Sequence, residues 1–152
     1  MSERGEPIDM AEAAEAADIP AFWAAYVAAA GVDGPYTAWG FADGAKPELM
    51  TALGLLVRDG PKRATTSRAD DYGPDEPMPE VGDHSVILDG DGRPICIIRT
   101  TSIEIRPFGD VEEAFAWEEG EGDRTMAWWR GAHIRFFASV RTPIDDATPV
   151  VL

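Results

Sequence analysis

The turn sequence at residues 89–92 constrains the fold of this chain more strongly than any other feature. It reads Asp-Gly-Asp-Gly and lies between two apolar, β-branched runs at residues 86–88 and 95–98. Asp-Gly pairs supply the positive backbone φ angles that tight hairpin turns require. The sequence therefore predicts an antiparallel β-hairpin here, and the fold must contain a sheet built on it.

Helical signals lie on both sides of the hairpin. Apolar residues recur at helical spacing over residues 19–30 and 47–59, and each segment has a proline at its start and a glycine after its end. Two further helices are predicted in the C-terminal third of the chain. Asp110 is expected to cap the first of them, and Asp123 the second, which should end near Gly131.

Four other segments have strand character because they alternate in polarity or are rich in β-branched and aromatic residues. They are residues 62–67, 100–105, 134–137 and 150–152. Residues 31–45 predict a glycine-containing loop, and residues 69–82, with their prolines and acidic residues, a loop or lid. This order of elements favours an α+β fold, a small barrel or curled sheet, over a doubly wound parallel sheet.

The length of the chain predicts a single domain. Its 152 residues, 45% of them apolar, allow one well-buried core and are few for two ordinary domains. Residues 1–18 are rich in Ala and Glu and are expected to form a partly disordered N-terminal extension, followed by one domain over residues 19–152. No apolar run has the length of a membrane span and no secretory leader is recognisable, so a soluble, cytoplasmic protein is expected.

The charge of the chain limits the partners that it can bind. Thirteen basic residues stand against 28 acidic ones, which gives a net charge of −15 at pH 7. Such a surface repels polyanions, whereas proteins that hold long nucleic acids neutralise many phosphates. The composition therefore weighs against a broad nucleic-acid footprint and leaves room for a small cationic pocket. Solubility alone would also account for the charge.

Few residues are suited to disulfide or metal chemistry. Cys96 is the only cysteine and lies in an apolar run, which predicts a small buried hydrophobic residue. With only His84 and His133 besides, neither a cysteine-based zinc cluster nor a histidine-rich metal site is expected. We therefore predict no cofactor, with a divalent cation on the acidic residues 118–123 as the alternative. His133 is expected at a helix end, in packing or capping.

Lys62 lies where a helix stop meets the predicted start of a strand. Exposed backbone amides and a compact ammonium at such a junction can face a small anionic or carbonyl ligand. If the chain is not yet a regular strand there, Lys62 and Thr65 can converge. A desolvated lysine can then take the proton of the hydroxyl, which becomes a nucleophile. The alternative is a solvated lysine beside a β-forming threonine.

Four segments, in this order, resemble the ASCH domain. They are Gly-x-Lys-x-x-Thr at residues 60–65, Pro-Glu-Val-Gly-Asp at residues 79–83, Glu-Gly-Glu-Gly-Asp at residues 119–123 and His-x-x-Phe-Phe at residues 133–137. The resemblance covers roughly residues 36–140. It implies a PUA-like small β-barrel with flanking helices and a cleft suited to RNA or a nucleoside.

The resemblance also implies a chemistry. A small bacterial member of the family is an amidohydrolase that removes acyl groups from the exocyclic amine of cytidine, and other members are described as ribonucleases. Carried over by position, the amidohydrolase pattern makes Lys62, Thr65 and Glu119 the catalytic residues. Lys62 would take the proton of Thr65, Thr65 would attack the amide carbonyl, and Glu119, with a raised pKa, would protonate the leaving amine. Glu118 and Glu121 are close alternatives for the glutamate.

The substrate is expected to be nucleoside-sized or a single-stranded RNA, with no membrane partner and no prediction for the oligomeric state. Aromatic rings in a loop can stack on a base, and basic or hydroxyl side chains can contact carbonyl or phosphate oxygens. The candidate substrate-binding residues are Trp39, Phe41, Gly60, Arg63, Thr66 and Arg68. Core packing for the aromatic residues and simple exposure for the arginines are the alternatives. A ribonuclease and a noncatalytic module for RNA or a modified nucleoside are the alternative functions.

Overall fold

The structure is a computed structural model that describes residues 19–42, 46–140 and 143–152. The extension predicted at residues 1–18 lies outside the described residues. Contacts between Cα atoms group the chain into two compact units, the first formed by Met1–Arg58 with Val81–Thr101 and the second by Asp59–Glu80 with Ser102–Leu152. The single domain predicted from chain length stays a prediction.

The described residues form four α-helices and six β-strands. The helices are α1 (Ile19–Ala30), α2 (Pro47–Asp59), α3 (Glu113–Glu119) and α4 (Met126–Val140). The strands are β1 (Tyr36–Trp39), β2 (Ser67–Arg68), β3 (His84–Leu88), β4 (Pro94–Arg99), β5 (Ile105–Pro107) and β6 (Pro149–Val151). Both helices predicted before the hairpin are confirmed, with the bounds that the proline and glycine signals indicated.

The predicted hairpin is confirmed in the first unit. β3 and β4 pair antiparallel, and the side chain of Asp89 closes the turn by accepting hydrogen bonds from the backbone N–H groups of Asp91 and Arg93, both at 2.9 Å. Val86 and Ile87 of β3 are fully buried. The hairpin is therefore the centre of the first unit's packing.

A third strand of this sheet lies where we expected only loop. β1 runs parallel to β3, which gives the strand order β1-β3-β4. Trp23 of α1 is buried and stacks on Tyr36 of β1, with 4.8 Å between the ring centroids. The expectation of a loop over residues 31–45 was wrong at this strand, because a parallel strand finds its partner far away in the chain and leaves little local signal.

The second unit contains the other sheet, in the order β2-β6-β5, with β6 antiparallel to both neighbours. β6 confirms the final strand predicted at residues 150–152, one residue earlier than expected. Phe108 and Trp129 stack in the core with their ring centroids 5.2 Å apart, and Phe137 and Val150 belong to the same buried cluster. This core holds α4 in place.

The three remaining strand predictions need correction. The strand predicted over residues 62–67 is observed only at Ser67, the first residue of β2, because residues 61–66 take no regular structure. In the strand predicted over residues 100–105, only Ile105 lies in an observed strand. Residues 134–137 lie inside α4 instead. The buried residues of α4, which are Trp129, His133 and Phe137, recur every four positions, and this helical spacing outweighs the alternation that favoured a strand.

The predicted helix boundaries in this unit also differ from those observed. α4 continues through Gly131, since a glycine inside a well-packed helix costs only about 1 kcal/mol. The cap of α4 is Thr125, whose hydroxyl accepts a hydrogen bond from the N–H of Trp128, while Asp123 binds the N–H of Thr125. Asp110 caps no α-helix, because it closes a short 3-10 turn ahead of α3.

The α+β class is confirmed. The described strands pair in two separate three-stranded sheets, so their pairing does not form the closed barrel that the resemblance implied. None of the helices formed by the described residues is long and apolar enough to cross a membrane.

We expect Ile87→Ala to lower the free energy of unfolding by about 2–5 kcal/mol, because it removes buried methyl groups and leaves a cavity beside the hairpin. Urea unfolding followed by circular dichroism measures the change. The matched control is Val81→Ala, at a position that is 65% exposed, where a change within about 0.5 kcal/mol is expected. Equal effects at the two positions would contradict the assignment of the hairpin to the core.

Candidate functional site

Lys62 is buried in the second unit with only 2% of its surface exposed. Its Nζ donates hydrogen bonds to the carbonyl of Ala64 at 2.9 Å, to Oε2 of Glu121 at 2.9 Å and to the carbonyl of Glu119 at 3.4 Å. It also lies 3.5 Å from Oε1 of Glu119. An ammonium has three N–H groups, so this arrangement gives each one an acceptor. A buried charge is tolerated only when it is paired in this way.

The backbone around Lys62 is held against the end of α3. The N–H of Arg63 donates to the carbonyl of Glu118 at 2.8 Å, which joins the two segments directly. Gly120 ends α3 in the left-handed conformation, with φ at +69°. A Cβ at Gly120 would lie 2.8 Å from backbone atoms of Lys62, so only glycine fits both the conformation and the approach.

Glu119, the last residue of α3, is as buried as Lys62 and accepts hydrogen bonds on both carboxylate oxygens. Oε1 accepts a hydrogen bond from Nε2 of His133 at 3.0 Å. Oε2 accepts one from the hydroxyl of Thr66 at 3.0 Å and another from the indole N–H of Trp129. Nδ1 of His133 faces the carbonyl of Trp129 at 2.8 Å and must donate to it, because a carbonyl only accepts. An ionised Glu119 therefore requires His133 to be a doubly protonated imidazolium.

The pKa values of this network follow from its contacts. Burial is the largest influence on the pKa of Glu119 and acts to raise it. The hydrogen bond and charge of His133, the charge of Lys62 and a hydrogen bond from Glu121 together outweigh burial and lower this pKa to about 2. Burial lowers the pKa of His133, but the hydrogen bond and charge of Glu119, the hydrogen bond with the Trp129 backbone and the charge of Glu121 together raise it. Glu119 is therefore ionised and not the raised-pKa acid that we expected.

Glu121 is the carboxyl group whose pKa is raised. Burial is the main cause, and it outweighs the charge of Lys62, which acts in the opposite direction. The charge of Glu119 and a hydrogen bond to it raise the pKa of Glu121 further. The pKa values of the two glutamates are thus shifted in opposite directions, although both carboxyl groups flank the same ammonium.

The structure brings three of the predicted site residues together, namely Lys62, Glu119 and Thr66. Among the hydrogen bonds of the described residues, the hydroxyl that reaches Glu119 belongs to Thr66 and not to the half-buried Thr65. His133 and Trp129 were not predicted as site residues. The spacing of four that they share with Phe137 on one helix face is the sequence signal that would have indicated them.

The predicted substrate-binding residues belong to both units. Arg63 is exposed and its Nη1 donates to the carbonyl of Lys62 at 2.8 Å, while Arg68 is buried and pairs through two nitrogens with Asp70, both at 2.8 Å. Gly60 follows the last residue of α2. Trp39 and Phe41 belong to the first unit, where their rings pack edge to face and Phe41 is buried. Their roles in binding stay predictions.

Three side chains are close enough to bind one metal ion. One potential ligand atom from each of Glu119, Glu121 and His133 lies within 4.8 Å of the other two. The ammonium of Lys62 contacts both carboxylates and already supplies positive charge at this point. Nε2 of His133 points its proton at Glu119, which leaves it no lone pair for a metal in this arrangement. The donor set therefore fits a network of charged hydrogen bonds better than a metal centre.

Comparison with known proteins identifies the family. A family model of the ASCH domain matches residues 37–152. The chain belongs to the ASCH domain family. This ASCH chain is similar to a crystal structure of a protein from Enterococcus faecalis V583, with 35% identity, a TM-score of 0.74, and 88% of this chain and 83% of that chain covered.

A second solved structure supports the same assignment. It is an ASCH domain from Lactobacillus crispatus JV V101, with 30% identity, a TM-score of 0.74, and 87% of this chain and 88% of that chain covered. No curated protein matches the chain. The comparisons therefore confirm the ASCH family that the sequence resemblance predicted.

We expect Glu119→Gln to lower the free energy of unfolding by about 3–5 kcal/mol at neutral pH, because it leaves Lys62 and His133 buried with much less compensating charge. The matched control is Glu118→Gln, which changes an exposed neighbour and should alter stability by no more than about 0.5 kcal/mol. Urea unfolding of both variants measures the difference. A mild effect of Glu119→Gln would mean that the network contributes little to stability.

The network also predicts how stability changes with pH. Because the pKa of Glu119 is lowered from 4.5, its contribution is complete above that value and is lost as the pH falls towards about 2. Because the pKa of His133 is raised from 6.5, its contribution is complete below that value and is lost as the pH rises through the raised pKa.

His133→Gln keeps an N–H donor for Glu119 but does not titrate. We therefore expect the stability difference between the native chain and this variant to shrink as the pH rises from about 6 to about 9. Urea unfolding across this range measures it. A difference that grows as the pH rises would show that His133 is neutral in the folded protein, and a constant difference would show that folding does not shift its pKa.

Proposed function

We propose that this ASCH protein is a hydrolase that cleaves the amide bond of a nucleoside-sized substrate such as N-acylated cytidine. The observation that carries the proposal is Lys62, which is 2% exposed and lies 2.9 Å and 3.5 Å from two carboxyl groups of opposite pKa shift. Ionisable groups with perturbed pKa values cluster at functional sites. The hydroxyl of Thr66 reaches this cluster, and a hydroxyl beside an activating base is what amide hydrolysis by a threonine nucleophile needs.

The charges around Lys62 favour a neutral substrate over a nucleic acid. The ammonium is already balanced by Glu119 and Glu121, so a phosphate group brought to it would face two carboxyl groups. The net charge of −15 acts in the same direction over the whole protein. A neutral amide carbonyl meets no such repulsion, which supports an amide substrate over an RNA strand.

The proposed mechanism begins at a threonine hydroxyl. Lys62, once its proton has passed to a neighbouring acceptor, takes the proton of the hydroxyl, and the oxygen attacks the amide carbonyl. The family pattern assigns this hydroxyl to Thr65. The hydrogen bond of Thr66 to an ionised Glu119 makes Thr66 the group that orients the segment in our proposal. Glu119 stays ionised throughout and holds Lys62, Thr66 and His133 in place.

The test is to incubate the purified protein with N4-acetylcytidine and, separately, with single-stranded RNA, and to follow cytidine and RNA fragments by chromatography. We expect cytidine release and intact RNA. Lys62→Met and Thr65→Ala should each lower kcat/KM by about 100-fold or more, since each removes a proton-transfer or nucleophilic group. Thermal unfolding confirms that the variants remain folded.

Lys46→Met is the matched control for the lysine substitution, because Lys46 is exposed in the first unit, and it should leave turnover unchanged. Full turnover in folded Lys62→Met and Thr65→Ala would contradict the mechanism. Cleavage of RNA with no release of cytidine would support the ribonuclease alternative, and tight binding of the nucleoside without turnover would support a noncatalytic module.

A further inference from the structure

The two carboxyl groups beside Lys62 differ in how their oxygens are occupied. A carboxylate offers roughly four lone-pair positions. Oε1 of Glu119 faces His133 and Lys62, and Oε2 accepts from Thr66 and Trp129. With donors on both oxygens, Glu119 has no position left at which to carry a proton towards a substrate. Its arrangement is that of a group that positions others.

Glu121 has the opposite character. Nζ of Lys62 lies 2.9 Å from Oε2 of Glu121, and a hydrogen bond also joins the carboxyl group of Glu121 to that of Glu119. Its side chain is 16% exposed, compared with 2% for Glu119, so it is the carboxyl of the pair that reaches the outside of the unit. A group that gives a proton to a substrate needs this access.

We propose that Glu121, and not Glu119, is the general acid of the proposed amide hydrolysis, and that it works with Lys62 as one proton-transfer pair. This inference rests on the proposed function. The raised pKa of Glu121 supports it, because a carboxyl group whose pKa is raised keeps its proton more easily and can donate it, whereas Glu119, with a pKa of about 2, is held ionised.

The protons of this pair balance over the reaction. The reaction starts from the neutral amine of Lys62 and the neutral carboxyl of Glu121. This neutral pair forms from the ion pair when one proton moves from Nζ to Oε2, which lie 2.9 Å apart. Lys62 takes the proton of Thr65, the oxygen of Thr65 forms a bond to the carbonyl carbon, and Glu121 gives its proton to the nitrogen as the C–N bond breaks. The amine leaves, and the pair becomes ammonium and carboxylate.

Water completes the cycle by the reverse transfers. Glu121 takes a proton from a water molecule, whose oxygen attacks the acyl ester, and the ester C–O bond breaks as Lys62 returns a proton to Thr65. The acid is released and the neutral pair is restored. The summed charge of Lys62 and Glu121 is zero at the start, in the acyl-enzyme and at the end, and in each tetrahedral intermediate the ammonium of Lys62 is balanced by the oxyanion. A buried site favours such a scheme, because no step leaves an unpaired charge away from water.

The loop that carries Glu121 is built to hold it in one position. The backbone N–H of Arg124 donates to the carbonyl of Glu121 at 3.0 Å, and Arg124 itself has a positive φ of 64°. Its guanidinium donates to the carbonyl of Trp117 at 2.9 Å and lies 3.6 Å from the centre of that ring. Gly122 has a φ of +57° and packs so tightly on Trp128 that no Cβ fits there. A proton donor must be held in this way to act efficiently.

Glu121→Gln tests the assignment with two substrates. N4-acetylcytidine needs a proton on its leaving nitrogen, whereas 4-nitrophenyl acetate has a leaving group that departs as a stable anion. We expect Glu121→Gln to slow acylation of Thr65 by the amide by about 100- to 10,000-fold, with the burst of 4-nitrophenolate that reports acylation by the ester within a few-fold of the native rate. Deacylation is common to both substrates and uses Glu121 as a base, so steady-state turnover of both should fall. The alkaline limb of the native pH profile, which reports loss of the Glu121 proton, should be absent from the residual amide activity.

Glu118→Gln is the matched control and should leave both activities unchanged. Glu119→Gln should lower both activities together, because Lys62 and Thr66 lose their anchor. If Glu121→Gln hydrolyses the amide as fast as the native protein, the inference is wrong and the proposed function stands. Equal loss of the acylation rate on both substrates would also overturn it, since Glu121 would then only support Lys62. A native protein that hydrolyses neither substrate would overturn the proposed function and this inference with it.

Discussion

The pairing of the Lys62 ammonium with the carboxylate of Glu119 is the interaction on which the second unit depends. Both side chains are almost fully buried, and each would be costly to bury alone. Every other feature of the network follows from satisfying these charges. His133 and Trp129 are aligned by α4 to donate to Glu119, and Gly120 allows the two backbones to come close enough for the contact.

The two carboxyl groups of this network differ in how firmly they hold a proton. Glu119 accepts several hydrogen bonds and is held ionised, whereas Glu121, which accepts fewer hydrogen bonds, keeps its proton more easily. Two glutamates separated by one residue thus acquire different chemical roles from their surroundings alone. The same principle operates in enzymes that use paired carboxyl groups as acid and anion.

Sequence alone indicated the hairpin, the first two helices, Lys62 and Glu119, because each has a local signal such as a turn dipeptide, a helix stop or a short family pattern. It missed what depends on distant partners. β1 pairs with a strand far along the chain, and His133 could not be linked to Glu119 while Gly131 was taken as a helix end. The choice of Thr66 over Thr65 at Glu119 depends on the irregular backbone of residues 61–66, which side-chain alternation does not describe.

The backbone hydrogen bond from Arg63 to Glu118 joins segments that are far apart in the chain. Closing so long a loop costs conformational entropy before any contact across it can form. Lys62 therefore meets Glu119 only in a chain in which these two distant segments have come together. A chain still emerging from the ribosome, or one that has partly unfolded, carries these residues without their partners. Any chemistry at this site is thereby confined to the fully folded molecule.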